Sequence, residues 1–311
     1  AAHASEVWLD PMGAVLFTGP GGSRPYFKGL ADKIGANVHV YRVGKYKSFV
    51  EPYVRTEGSP EAKQEDKVLY DALWAEWNAD VTKARPKAKV VDMAQQPAAQ
   101  LAAAGGELSK AALQLGLVDK LADRTAVGAG GGRRSGNGDV GVPGAGGAGT
   151  LASYVAANPP ETGSENIGII TIAGEIVDGH APAGMAGGDT ISGLIHTAMA
   201  EQDLKALVVR VNSPGGSAFA SEQMRRAIMN AKAKGIPVVV SMGNVAASGG
   251  YWVAMTGDTV FAEPSTITGS IGVFSILPTF ENSAAKIGVT ADGVRTTPLS
   301  GQPDILSGTS P

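Results

Sequence analysis

The chain has 311 residues, 43% of them hydrophobic and 18% charged, with a net charge of -3. This composition suits an ordinary globular chain with room for two average domains, and the absence of any basic block argues against nucleic acid as a partner. There is no cysteine, so disulfides, thiolate catalysis and thiolate metal sites are excluded while the compartment stays open.

The opening residues, AAHASEVWLD, lack the charged-then-apolar layout of a signal peptide. Further on, YRVGKYKSFVEPY (Tyr41–Tyr53) sets two lysines among apolar and aromatic residues. An extended segment there puts Lys45 and Lys47 on one face, and spacing does not choose between them. Ser59 and Pro60 begin a long predicted helix in which Leu69, Leu73, Trp77 and Val81 recur every four residues. Trp74 and Trp77 read as core packing. Between Gly128 and Gly149, 11 of 22 residues are glycine. Such a run cannot bury enough side chain to offset its ordering entropy, so 128–150 reads as a linker between 1–127 and 151–311.

The two parts are related. VWLDP (Val7–Pro11) corresponds to VFAEP (Val260–Pro264) at an offset of 253. The same offset carries Phe27 onto Phe280, ADKIG (Ala31–Gly35) onto AAKIG (Ala284–Gly288), and Arg42 onto Arg295. Matches at one constant offset indicate a tandem duplication. The first copy's counterpart of residue 248 then falls before residue 1, and the second copy stops soon after Pro298, so both copies are expected to be cut short.

In the second part, KALVVRVN (Lys205–Asn212) is a β-branched run typical of a strand buried on both faces. A helix is expected over Phe219–Lys234, with Phe219, Ile228 and Ala231 inward and Gly235 as its stop. IPVVVSM (Ile236–Met242) is the next strand, which makes a parallel β-α-β unit. No charge occurs from Gly235 to Gly257, but Pro237, Asn244, Ser248 and the Gly249-Gly250 pair interrupt that stretch, which reads as strand, turn and buried helix.

Two turns follow these strands, NSPGGS (Asn212–Ser217) and NVAASGG (Asn244–Gly250), at the carboxyl ends where open α/β sheets place their sites. Ser248 stands between two alanines and two glycines, which gives other atoms the clearance to approach its hydroxyl. It would open a helix whose free N–H groups surround its oxygen. The amide of Gly249 is one oxyanion donor by position, and Gly215 or Gly216 would supply the second. The bland alternative is a serine helix cap beside a glycine turn. A serine nucleophile also needs a base. His3, His39, His180 and His196 lie in no segment resembling a triad partner, which leaves a buried lysine of lowered pKa.

Four motifs, VRVNSPGGS (Val209–Ser217), ASGGYW (Ala247–Trp252), PSTITGSIG (Pro264–Gly272) and RVGKYKSFVEP (Arg42–Pro52), resemble signal peptide peptidase A, the protease IV family, in its long bacterial form. The resemblance places the nucleophile on Ser248, the general-base lysine on Lys47 and a lysine-orienting serine on Ser270. It implies an α/β fold of tandem crotonase-like, Clp-protease-like domains with mainly parallel sheets, truncated at both ends. ALQLGLVDKLAD (Ala112–Asp123) is similar to the segment that closes each such domain. At the offset of 253, Lys47 maps to Ser300, so one Ser-Lys site would draw on both copies. The implied activity is serine endopeptidase cleavage of apolar peptides, such as signal peptides retained in the membrane, with no metal and no cofactor. Homotetramers on the periplasmic face of the bacterial inner membrane, held by an N-terminal anchor that this chain lacks, are the implied setting. The alternatives are a crotonase-type acyl-CoA enzyme and a non-catalytic scaffold.

Overall fold

The computed structural model describes residues 1–123, 126, 151–159, 166–201, 203–297 and 299–308, so the expected linker at 128–150 lies outside the described residues. Two compact units divide the chain: Ala1–Gly21 with Tyr70–Gly163, and Gly22–Leu69 with Ser164–Pro311. In chain order the strands begin with β1 (Trp8–Leu9), β2 (Asn37–Val43), β3 (Lys120–Leu121), β4 (Asn166–Ala173), β5 (Glu175–Val177) and β6 (Met185–Gly187). They continue with β7 (Leu204–Ser213), β8 (Val238–Ala247), β9 (Thr259–Phe261), β10 (Ile267–Gly269) and β11 (Val273–Thr279).

In the first unit, β1 and β3 pair in parallel, Trp8 opposite Lys120. Val81, Val90, Met93, Ala112, Leu115 and Val118 form its core, with Trp74 and Trp77 packed against them. The two indoles stack at 5.1 Å and Phe17 lies 4.9 Å from Trp77, the packing role that their spacing predicts. Trp77 and Val81 belong to the helix Pro60–Ala84, whose beginning at Ser59-Pro60 agrees with the sequence.

The second unit is mixed α/β with a parallel sheet in the order β10-β8-β7-β4, and β9 also pairs with β8. β9 lies along Val239–Ser241 and β10 along Val245–Ala247, one after the other on the same edge of β8. Val209, Val211, Val238 and Val240 are fully buried beneath the helix Ala218–Ala233, which contributes Ala220, Met224, Ala227, Ile228 and Ala231. Burial on this scale stabilises by roughly 1.5–3 kcal/mol per large apolar side chain.

Four local expectations change. β7 is buried on one face and not on both: Leu207, Val209 and Val211 are buried, whereas Arg210 and Asn212 on the other face are exposed. Phe219 is exposed, because nine residues separate it from Ile228, about two and a half helical turns, so the two point in opposite directions. The strand expected to end at Met242 runs on to Ala247. Gly243 packs on the Asn212 side chain, whose Oδ1 accepts the Val245 amide at 3.2 Å, and so the pairing continues past a glycine and an asparagine. Finally, Lys45 and Lys47 do not share an extended face. β2 stops at Val43, Gly44 turns the chain at φ 108, and a 3-10 helix follows at Ser48–Val50.

β2 pairs antiparallel with β11, from Val43 opposite Val273 to Asn37 opposite Thr279. The helices Lys28–Ile34 and Glu281–Lys286 lie at the offset seen in the sequence, and the Lys286 Nζ donates to the Lys33 carbonyl at 2.7 Å. This ribbon carries Lys47 into the unit that holds Ser248, 201 residues away along the chain.

Candidate active site

β8 delivers Ser248 directly from a buried strand. Its backbone sits at φ 53, ψ -120, a left-handed conformation rare for a residue with a side chain, and the helix Gly249–Ala254 starts next. Such a conformation costs on the order of 1–3 kcal/mol and persists only where its surroundings enforce it. Here the Ser248 amide donates to the Gly269 carbonyl at 2.8 Å, and its carbonyl accepts the Trp252 amide at 2.9 Å. The hydroxyl makes no capping bond to its own helix, so the bland alternative is not what the side chain does. It lies 3.1 Å from Lys47 Nζ instead.

The flanking glycines follow from crowding. A Cβ on Gly249 would stand 2.3 Å from the Ser221 hydroxyl. One on Gly215, where φ is 95, would stand 2.6 Å from the Gly249 nitrogen and 2.7 Å from the Ser248 Cβ. The NSPGGS turn therefore lies against the serine. Its two glycine amides have different fates. Gly215 N–H donates to the Ser213 hydroxyl at 3.1 Å, and that hydroxyl donates to the Gly174 carbonyl at 2.6 Å. Gly216 forms a parallel bridge with Ile176: the Ile176 amide donates to the Gly215 carbonyl at 2.9 Å and the Ser217 amide to the Ile176 carbonyl at 2.8 Å. Backbone groups alternate in direction along an extended segment, so the Gly216 N–H points away from β5.

Lys47 is 9% exposed. Its amine donates to the Ser270 carbonyl at 2.8 Å and to the Ser270 hydroxyl at 3.2 Å, in addition to its contact with Ser248. Ser270 is the other non-glycine residue of positive φ among those described, at 50. Burial lowers the Lys47 amine from the ordinary lysine value, while the Glu65 carboxylate works in the opposite direction. Gly272, at φ 144, lets the backbone pass close to β2: a Cβ there would be 2.3 Å from the Val43 carbonyl, with Lys47 Cδ at an ordinary contact distance of 3.7 Å.

The residues that the motifs single out thus converge. Ser248, Lys47 and Ser270 share hydrogen bonds, Gly249 opens the helix behind the serine, and Gly215 lies against its side, with Gly216 next in the turn and bridged to Ile176. An amine with two acceptors at Ser270 and a hydroxyl before it can exchange a proton with that hydroxyl. Sequence reasoning missed Ser213, which is fully buried and clamps the glycine turn. Its place inside NSPGGS was the available signal. Among the described residues no histidine bonds to Ser248; His3 meets Asp80 at 3.1 Å and His39 meets Thr279 at 3.2 Å. A cavity of about 230 Å³ lined by Arg210, Ser241, Phe261 and Glu263 includes neither Ser248 nor Lys47. Among the described residues no helix is long and apolar enough to cross a membrane.

Comparison with known proteins agrees with the four motifs. Protease 4 of Haemophilus influenzae is 39% identical over 305 residues, covering 96% of this chain and 49% of that protein. Protease 4 of Salmonella typhi is 40% identical over 309 residues, covering 96% of this chain and 48% of that protein. The chloroplastic serine protease SPPA of Arabidopsis thaliana is 28% identical over 306 residues, covering 93% of this chain and 42% of that protein. The chain spans about half the length of the relatives it matches. The family model for peptidase family S49 matches residues 1–130 and 230–306, and the chain belongs to that family.

Proposed function

We propose that the protein is a serine endopeptidase in which Lys47 is the general base for Ser248. The observation that carries this reading is the 3.1 Å approach of the Lys47 amine to the Ser248 hydroxyl, with two acceptors from Ser270 behind it. A neutral amine has two protons and one lone pair. Ser270 accepts both protons, through its carbonyl and its hydroxyl oxygen, so the lone pair faces Ser248. Burial favours that neutral form.

Lys47 takes the Ser248 proton as Oγ attacks the scissile carbonyl. The resulting oxyanion accepts the N–H groups of Gly249 and Gly216; Gly215 already donates to Ser213, so its part is steric. The Lys47 ammonium then protonates the leaving amine, and water activated by the same amine hydrolyses the acyl-enzyme. The Gly216 N–H, directed away from β5, suits an extended peptide added as a strand. By the family resemblance the substrates are apolar peptides, signal peptides retained in the membrane among them. The resemblance also suggests a homotetramer at the periplasmic face of the inner membrane.

The test uses a serine-reactive fluorophosphonate probe and cleavage of an apolar peptide, across pH. Ser248→Ala and Lys47→Ala are each expected to fold and to lose cleavage by about 10³-fold or more. In the parent chain both rates should fall on acidification, as Lys47 becomes protonated. Lys47→Ala labelling Ser248 at the parent rate, or a flat profile down to about pH 5, would refute the base assignment.

A further inference from the structure

Lys47 lies in a turn, so something other than a helix or strand must fix its backbone. Its amide donates to the Gly44 carbonyl at 3.2 Å. On the other side, the Arg42 guanidinium donates to the Lys47 carbonyl at 3.3 Å. Arg42 also lies 3.7 Å from Oε1 of Glu51, and Glu51 is only 3% exposed. The Glu51 carboxylate accepts the Ser59 hydroxyl at 2.6 Å and the Ser59 amide at 2.9 Å. Ser59 in turn caps the helix Pro60–Ala84 by accepting the Ala62 amide at 3.1 Å. A polar chain therefore runs from a helix N-terminus to the carbonyl of the lysine.

We propose that Glu51, acting through Arg42, is a positioning residue that holds the Lys47 backbone so that its amine points at Ser248. The inference rests on the Ser248–Lys47 reading above. Three observations carry it. A buried carboxylate is expensive to desolvate, and an apolar side chain of similar size would serve stability as well or better. Glu51 nevertheless stays ionised: burial raises its pKa, but the Ser59 amide and hydroxyl and the charges of Arg55 and Arg42 outweigh that, leaving it below the usual carboxylate value. And the guanidinium it pairs with makes its one described hydrogen bond to the carbonyl of the lysine itself.

Releasing this anchor has a chemical signature. A Lys47 side chain no longer held in its buried niche moves toward solvent, its pKa returns toward the ordinary lysine value, and more of it is protonated at neutral pH. Glu65, from the helix Pro60–Ala84, is the carboxylate that acts on the Lys47 amine, and the three Glu51 and Arg42 variants below leave it in place.

The experiment measures the rate of fluorophosphonate labelling at Ser248 against pH, with thermal unfolding alongside, in the full chain carrying Glu51→Gln, Arg42→Met or Arg42→Lys. Arg42→Met leaves the Glu51–Ser59 bonds intact and removes the Arg42 contacts to Lys47 and Glu51, so it remains informative if Glu51→Gln fails to fold. Glu51→Gln and Arg42→Met are expected to slow labelling at pH 7 by about 10-fold. Their pH midpoint should move upward, and Arg42→Lys should recover part of the rate. Folded Glu51→Gln and Arg42→Met chains with the parent midpoint and rate overturn the proposal. So does a loss that only tracks the unfolded fraction. Lys47→Ala in parallel separates the two readings: if it abolishes labelling while the other variants behave as the parent, only the positioning role fails.

Discussion

The two halves of the site are held in different ways. Ser248 rests on packing: Ala246, Val253 and Ala254 around it are fully buried, and the flanking glycines leave no space for a methyl group. Lys47 rests on hydrogen bonds. Its ribbon partners Tyr41 and Val43 are more than half exposed, and Val50 is the one fully buried large side chain in its turn. A packed wall resists small changes and fails abruptly, whereas a polar tether can loosen while the fold stays intact. Substitutions that enlarge the packed residues flanking Ser248 should therefore damage fold and chemistry together, and those on the lysine side should separate them.

The largest effect on stability is expected from Gly215→Ala. The new Cβ meets the Gly249 nitrogen and the Ser248 Cβ at 2.6 and 2.7 Å, and the backbone there is at φ 95. Overpacking and strain together should destabilise the fold by about 2–4 kcal/mol. Because the displaced atoms include the proposed nucleophile, labelling of Ser248 should fall more than about 100-fold even in the folded fraction. Near-parent labelling and an unchanged melting temperature would show that the turn does not press on the serine.

Lys47→Met should have the opposite effect on stability. Peptide cleavage is lost, yet the folded chain no longer buries an amine that favours being charged. The folded-state pKa of Lys47 lies below its unfolded value, so between the two the unfolded chain binds more protons. The penalty is thus complete below the folded pKa and fades as pH rises toward the ordinary lysine value of about 10.4. Lys47→Met should melt roughly 2–4 °C above the parent at pH 7, about 1 kcal/mol, with the gain shrinking by pH 10. A lower melting temperature at pH 7, or a gain independent of pH, would contradict this.

The same contrast explains what could be read from the residues alone. The serine side was legible because its order is written locally: a β-branched run, a small-residue turn and a glycine pair each force one conformation. Phe219 lies half a turn out of phase with Ile228, and β8 outlasts its β-branched run because the Val245 amide donates to Asn212, a bond between two distant motifs. The lysine side was less legible. Lys47 is selected over Lys45 by β2–β11 pairing between segments more than two hundred residues apart, and by a turn at Gly44 that no periodicity announces. Only the family resemblance pointed to Lys47 before the fold did.

Lys45 gives the mildest and cleanest test of that selection. It is two residues from Lys47, yet it faces solvent, lying 3.5 Å from Glu61 and over the Tyr46 ring at 5.6 Å. An exposed pair of this kind contributes about 0–1 kcal/mol, and salt screens it. Lys45→Ala should therefore change the melting temperature by no more than about 2 °C and leave both the rate and the pH midpoint of Ser248 labelling at parent values. A shifted midpoint would mean that the exposed amine takes part in the proton transfer. The division of labour between two neighbouring lysines, one tethered and dry and the other solvated, would then have to be redrawn.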